Sequence, residues 1–376
     1  MGARVLLDDG FVEGFAVRIA GDRIAAIMPE GDVPAFERRH DARGLTLLPG
    51  FLDAQNNGAG GVLFNDDPSV DALAAIAAAH RRFGTTGFLP TLISDDLDVV
   101  RQGVSSVEAA IEQGVPGILG IHIEGPFLNV DRKGIHDAAK LRTLDEEGFA
   151  VVTGLKVGRT LVTLAPERTT PEMLQRLVAA GVVVAAGHTD GTYREIREAL
   201  DNGLTGFTHL FNAMSPLTSR EPGAVGAALE DVDSWCGLIV DGRHVDPVTM
   251  RLALRCRPHN RFMLVTDAMP SVGMSDKRFT LQGHEVRVID GVCMNADGTL
   301  AGADLDMASA LRNAMSMLEV PLETASRMAS RYPAQFLRLD AQIGRIAPGY
   351  RADLVLLDGQ LEVVQCWIAG QSGHPS

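Results

Sequence analysis

The sequence predicts an α/β fold, a (β/α)8 TIM-like barrel with a small β-sandwich domain formed by both chain ends. Three observations predict it. Between about residue 50 and residue 340, short apolar runs alternate with helical stretches, and the runs number eight. Both chain ends instead carry short β segments separated by turn residues. With 376 residues, 46% of them hydrophobic, the chain can bury one large core and a smaller one beside it.

At the N-terminal end the β segments are Ala3–Leu7, Ala16–Ala20, Arg23–Met28 and Leu45–Leu48, divided by Asp-Asp-Gly, Gly-Asp and Glu-Gly-Asp. The closing stretch has the same texture, with Ala352–Leu357 and Val363–Ile368 either side of Asp358-Gly359. Strands this short cannot bury both faces alone, so residues 1–48 and 341–376 are expected to form one small β domain. The barrel then occupies 49–340. Its apolar runs are Phe51–Ala54, Thr86–Leu89, Ile118–His122, Val162–Ala165, Val182–Ala186, Gly206–His209, Gly237–Val240 and Phe262–Val265. Thr170 before Pro171 opens a helix that stops near Gly181, and Asp246 before Pro247 opens another; each is a cap followed by proline at the first helical position.

A formal net charge of −14, with no block of basic residues, excludes the footprint of a nucleic-acid binder, so any anionic ligand must be held by local donors. The four cysteines, Cys236, Cys256, Cys293 and Cys366, include no CxxC pair and are expected as reduced thiols in a cytoplasmic setting. Acids interrupt the N-terminus where a secretory apolar stretch would continue, and the longest apolar run, Leu177–Gly187, is far short of the roughly 20 residues that span a bilayer. Neither secretion nor membrane insertion is expected.

In a (β/α)8 barrel the catalytic groups follow the C-terminal ends of the strands. After strand one come Gln55 and Asn57, after strand three Glu124, after strand five His188; strand six ends in His209, strand seven precedes Asp241 and His244, and strand eight precedes Asp267. One carboxylate and two imidazoles make a three-ligand set for a catalytic divalent ion with an open position, so Glu124, His188 and His209 are the candidate metal ligands. A lone histidine at a strand end is more often a hydrogen-bonded structural residue; here the conjunction on three strands, with Asp267 on another, points to a site. His40, His80, His259, His284 and His374 are read as structural, and His122, two residues before Glu124, as packing or support for the ligands.

Several segments carry a resemblance: Pro-Gly-Phe-Leu-Asp at 49–53, His-Ile-Glu-Gly-Pro-Phe at 122–127, Lys-Gly-Ile-His at 133–136, Thr-Leu-Ala-Pro-Glu at 163–167, Gly-His-Thr at 187–189, His-Leu-Phe-Asn-Ala-Met at 209–214, Asp-Gly-Arg-His-Val-Asp at 241–246 and Thr-Asp-Ala-Met at 266–269. In this order, over nearly the whole chain, they resemble the N-acetylglucosamine-6-phosphate deacetylases of the amidohydrolase superfamily. The resemblance implies hydrolysis of N-acetyl-D-glucosamine 6-phosphate to D-glucosamine 6-phosphate and acetate. It implies that Glu124, His188 and His209 hold one divalent metal, Zn²⁺ or else Fe²⁺, that Asp267 is the general base and acid, and that His136 contacts the acetamide. It further implies that Arg220, His244 and the backbone of Asn212 and Ala213 hold the sugar phosphate, with Arg220 or His244 shared across a homodimer. The alternatives are an N-acetylgalactosamine-6-phosphate deacetylase, a cyclic-amide amidohydrolase, or a binding protein without turnover.

Two positions depart from the superfamily pattern. Gln55-Asn56-Asn57 stands where many members place His-x-His for a second metal, and amides bind divalent ions poorly, so one metal per chain is expected. Asp304 stands where a small hydroxyl residue is common; it is expected either to cap the helix that comes next or, as an extra carboxylate near the pocket, to alter sugar preference.

Overall fold

The computed structural model describes residues 1–35 and 39–373. His374 lies outside the described residues. All eight predicted barrel strands are present, as Phe51–Asn56, Thr85–Ile93, Gly120–Glu124, Arg159–Leu164, Val183–Ala186, Gly206–Phe207, Trp235–Leu238 and Phe262–Leu264, pairing in parallel and in chain order. The eighth strand returns to the first through side chains as well as backbone. Thr266 donates its N–H (3.2 Å) and its hydroxyl to the Asp53 carboxylate, and the Asp267 N–H donates to the Gln55 carbonyl at 3.0 Å. Asp53 also accepts from Gln55 N–H and from the Asn56 amide, and burial pushes its carboxyl up to about 6 despite these four donors.

The predicted helix starts hold. Thr170 caps Pro171–Ala179 by accepting from Met173 N–H, and Asp246 caps Pro247–Cys256 by accepting from Val248 N–H. The last barrel helix, Met307–Met317, is capped by Asp306, whose carboxylate accepts from Ser309 N–H. That corrects the expectation for Asp304: the helix begins two residues later than its sequence position suggested, and Asp304 pairs with Lys277 instead, at 2.7 Å.

Both chain ends build a six-stranded sheet in the order Gly10–Val12, Arg4–Leu7, Thr46–Pro49, Leu354–Leu357, Val363–Ile368, Gln371–Gly373. Its alternation is strict enough to see both faces. Leu6, Leu48, Val355 and Leu357 join the barrel core, whereas Val5, Leu47, Leu354 and Leu356 pack with the hairpin Phe15–Ala20/Arg23–Pro29 through Val17, Ile19 and Ile27. The sheet is therefore a layer between hairpin and barrel.

One sheet was not anticipated. Arg278–Leu281, His284–Ile289, Val292–Asn295 and Leu300–Ala303 form a four-stranded antiparallel sheet inserted after the eighth barrel strand. Its hairpin signals are legible afterwards: Gln282-Gly283 and Asp290-Gly291 both adopt left-handed φ, 48° and 82° in the first and 51° and 82° in the second, as a two-residue type I′ turn requires. Beneath the barrel mouth runs a buried polar chain. Thr91 and Thr163 hydroxyls flank His122 at 3.1 and 2.7 Å, and Thr163 continues to the Thr208 hydroxyl at 2.6 Å. His122 is thus packed as read, and burial drives it down to about 4, so it is neutral.

His80, on the first barrel helix, is fully buried, with Nε2 2.8 Å from the Asn56 amide and 3.1 Å from the Gly58 carbonyl. Burial lowers its pKa from 6.5 to about 4. Only the unfolded chain binds this proton between those values, so the stability is complete above pH 6.5 and is withdrawn as pH falls through them. Asp53 works with the opposite sign, and a variant comparison cancels it. Urea titrations at pH 7 and 4.5 should show a loss for the wild type larger than for His80→Gln by about 2 kcal/mol; equal losses would refute the neutral buried state.

Candidate active site

Glu124 ends the third barrel strand, and His188 and His209 lie two residues beyond the fifth and sixth. Glu124 Oε1 is 3.2 Å from His188 Nε2 and 3.0 Å from His209 Nε2, and the two nitrogens are 3.1 Å apart. One ligand atom from each residue lies within 4.8 Å of the others, and all three residues are buried. The donors suit a cation. His188 Nδ1 is 2.9 Å from the Arg132 carbonyl, which only accepts, so Nδ1 carries the hydrogen and the Nε2 lone pair faces the centre. Burial opposes ionisation of Glu124, yet the His188 and His209 imidazoles beside it hold its carboxyl well below the usual carboxylate range. Two imidazole nitrogens and an ionised carboxylate converging in this way form a set that a d-block divalent ion accepts.

The backbone at these positions is unusual. His188 (φ 49°), His209 (φ 34°) and Asp267 (φ 51°) are all left-handed non-glycine residues, a conformation that costs on the order of 1–3 kcal/mol each and persists where surrounding bonds impose it. For Asp267 those bonds are its own N–H to Gln55 and the Ala303 N–H donating to its carbonyl at 2.9 Å. Ala303 belongs to the inserted sheet, so that sheet and the first barrel strand together aim Asp267.

The amides of strand one have a defined task. Gln55 Nε2 donates to both Glu124 oxygens (3.3 and 3.2 Å) and to Asp267 Oδ1 (3.2 Å), and Asn57 Nδ2 donates to the same Oδ1 at 2.7 Å. A neutral amide with two hydrogens sits between the buried Glu124 and the half-buried Asp267 carboxylates, where a second cation would otherwise be needed. Burial and the Glu124 charge push Asp267 up to about 6, against the lowering effect of His209, His244 and Asn57. It is ionised at neutral pH and close to taking a proton.

His136 Nδ1 accepts from Ser94 N–H at 3.2 Å and lies 2.7 Å from the Ser94 hydroxyl, which leaves the hydrogen of the neutral ring on Nε2. Burial and the neighbouring His188 hold its pKa well below the usual value. Ser94, just past the second strand, is a functional position that sequence reasoning missed; a serine at a strand end has no distinguishing pattern.

Glu124, His136, His188, His209, His244 and Asp267 line one cavity of about 180 Å³, together with Asn212 and Ala213 and an apolar wall that includes Ile93, Met269, Leu281 and Leu300. His244 is fixed by Asp241, whose Oδ2 is 2.6 Å from Nδ1. Asn212 N–H donates to the His209 carbonyl at 3.0 Å, so of the two backbone N–H groups that of Asn212 is already engaged. Arg220 is not brought to this cavity: it lies on an exposed segment and is absent from the lining. Asp304 is not part of the lining either. A larger cleft of about 630 Å³ lies between the hairpin and the six-stranded sheet, but among the described residues no carboxylate lines it.

Residues 46–373 match the amidohydrolase family. The chain is 41% identical over 373 residues to an N-acetylgalactosamine-6-phosphate deacetylase of Shewanella sp. (strain ANA-3), covering 98% of this chain and 94% of that one. It superposes on the crystal structure of N-acetylglucosamine-6-phosphate deacetylase from Pasteurella multocida with a TM-score of 0.96 at 34% identity, covering 99% and 98% of the two chains. A mutant N-acetyl-D-glucosamine-6-phosphate deacetylase from Mycobacterium smegmatis, in complex with N-acetyl-D-glucosamine-6-phosphate, matches with a TM-score of 0.91 at 35% identity over 98% and 97%.

Metal analysis of the purified protein should find about one divalent ion per chain, and Glu124→Gln should cost at least ~10–100-fold in zinc affinity. A content near two per chain would show that Gln55 and Asn57 do not exclude a second ion.

Proposed function

The chain belongs to the amidohydrolase family, and from that premise we propose that it hydrolyses N-acetyl-D-glucosamine 6-phosphate to D-glucosamine 6-phosphate and acetate. The observation that carries this is the convergence of Glu124, His188, His209, Asp267 and a Nε2-protonated His136 on one cavity. An amide is a hard substrate, because its carbonyl is a poor electrophile and its amine a poor leaving group. Glu124, His188 and His209 would hold one divalent ion, Zn²⁺ in our proposal. Such an ion lowers the pKa of water towards 7 and polarises a carbonyl.

The remaining work falls to side chains. Asp267 takes the proton of the attacking water and delivers it to the departing nitrogen; a carboxyl near 6 is matched to both halves of that transfer. His136 Nε2–H donates to the acetyl oxygen as negative charge develops there. Gln55 keeps the two carboxylates in separate roles by hydrogen-bonding both. Amide plus water gives acetate plus the protonated amine, both protons of the water ending on the nitrogen.

For the phosphate, His244 and the Ala213 N–H supply donors within the chain. Arg220 offers the planar fork suited to phosphate but stands outside its own cavity. We therefore propose a homodimer in which Arg220 serves the neighbouring subunit's cavity. The galacto epimer is the second candidate substrate, favoured by the 41% identical relative named for it. Three of the four free cysteines are buried, consistent with a cytoplasmic location, and among the described residues no helix is long and apolar enough to cross a membrane.

Release of free amine from both epimers tests the substrate. Turnover should prefer the gluco compound, and Asp267→Asn should lower kcat by ~10²–10⁴-fold with metal content unchanged; no turnover of either epimer by metal-loaded protein would overturn the assignment. Mixing Arg220→Ala with Asp267→Asn chains tests the dimer. Activity should reappear in mixed dimers, where one site is whole, and an Arg220 acting within its own chain would restore nothing.

A further inference from the structure

Every barrel strand end sends a residue to the cavity lining except the fourth, among the described residues. Past that strand the chain makes the turn Pro166–Arg168, and it carries Glu167, half-buried and set back from the cavity. We propose that Glu167 is the positioning residue of the metal centre, holding His188 with its Nε2 edge forward through Thr189, Asp190 and Asn129. The proposal rests on His188 being a ligand.

His188 needs such a device because its backbone is left-handed at φ 49°. Nothing intrinsic to histidine keeps it there, so its neighbours must. On the far side, the Thr189 hydroxyl donates to Glu167 Oε2 at 2.5 Å and the Asp190 N–H donates to Oε1 at 2.8 Å. On the near side, Asn129 donates its amide to the same Oε1 at 2.9 Å and its N–H to the His188 carbonyl at 3.0 Å. The segment from Asn129 then carries Arg132, whose carbonyl fixes the His188 hydrogen and whose guanidinium pairs with Asp190 at 2.8 Å. One carboxylate thus closes a ring through the loops after strands three and five, and His188 sits inside it.

The chemistry favours a carboxylate for this post. Three donors from two loops converge on it, and charge-assisted bonds are roughly twice as strong as neutral ones. Among the described residues, no lysine, arginine or histidine pairs with Glu167, so its charge is neutralised by these donors and solvent rather than by an ion pair. The ring extends further, because Thr189 N–H donates to the Ala213 carbonyl and Ser215 N–H donates to the Thr189 carbonyl. The same carboxylate therefore braces the loop that carries Ala213.

Zinc affinity by chelator competition, and the visible absorption bands of the Co²⁺ form, should be measured on the full chain for wild type, Glu167→Ala, Glu167→Gln and Glu124→Gln. Glu167→Ala should bind zinc ~10–100-fold more weakly and shift the Co²⁺ bands. Glu167→Gln should recover most of the affinity, since its carbonyl oxygen still accepts from Asn129 and Asp190. A folded Glu167→Ala with zinc affinity within roughly two-fold of wild type, or a Gln variant as defective as Ala, would overturn the proposal. If Glu167→Ala does not fold, Thr189→Val carries the same test, weaker zinc binding supporting the role and unchanged binding sinking it. Unchanged affinity in Glu124→Gln would instead overturn the ligand assignment on which the proposal rests.

Discussion

The structure depends on the junction of its last barrel strand with its first. Asp53 is buried, accepts four hydrogen bonds, and takes two of them from Thr266. Because Asp267 is the next residue, the bond that closes the barrel also sets where the proposed acid–base group stands. The same junction places Gln55 between Glu124 and Asp267, so fold closure and the separation of the two carboxylates are one piece of geometry. A carboxylate buried for closure carries a cost, visible in its elevated pKa, and Thr266 and the strand-one backbone offset it.

A second constraint is conformational. Three residues of the proposed mechanism, His188, His209 and Asp267, lie just past strand ends, where parallel pairing has stopped and the chain turns. His188, His209 and Asp267 occupy left-handed backbone that glycine would adopt freely, yet each must keep its side chain. The surroundings therefore impose these conformations: Glu167 and Asn129 around His188, Gln55 and Ala303 around Asp267. Hydrogen bonds within the protein set these groups before any ligand arrives, which suits a reaction requiring groups preset around a small acyl centre.

Much of this was legible in the sequence, for physical reasons that differ between parts. The barrel strands were legible because buried parallel strands are continuous apolar runs, and the helix starts because caps and N1 prolines are local signals. Glu124, His188, His209 and Asp267 were legible because ligand-type residues at the ends of four strands of one barrel are rare. The inserted sheet was not, since its strands are half-exposed and mixed in composition, and only Gln282-Gly283 and Asp290-Gly291 mark its hairpins. Ser94 was silent because its contact with His136 joins distant segments, and Glu167, though it closes the Thr-Leu-Ala-Pro-Glu segment, showed no role of its own in the sequence. Asp304 misled because a better cap, Asp306, lay two residues on, and its partner Lys277 stands at the far end of the inserted sheet. Arg220 shows the converse limit: one chain does not bring it to the site its residue type suits.

The six-stranded sheet has a consequence for how the chain acquires its shape. Its third strand, Thr46–Pro49, lies between Arg4–Leu7, near the beginning of the chain, and Leu354–Leu357, near its end. The barrel face of this layer cannot be sealed until both neighbours are present, so during synthesis on the ribosome Leu6 and Leu48 stay without Val355 and Leu357 until the last segment emerges. Strand pairings of such long sequence separation form slowly. Until those strands arrive, the apolar face of Leu6 and Leu48 lacks the neighbours that cover it in the finished layer.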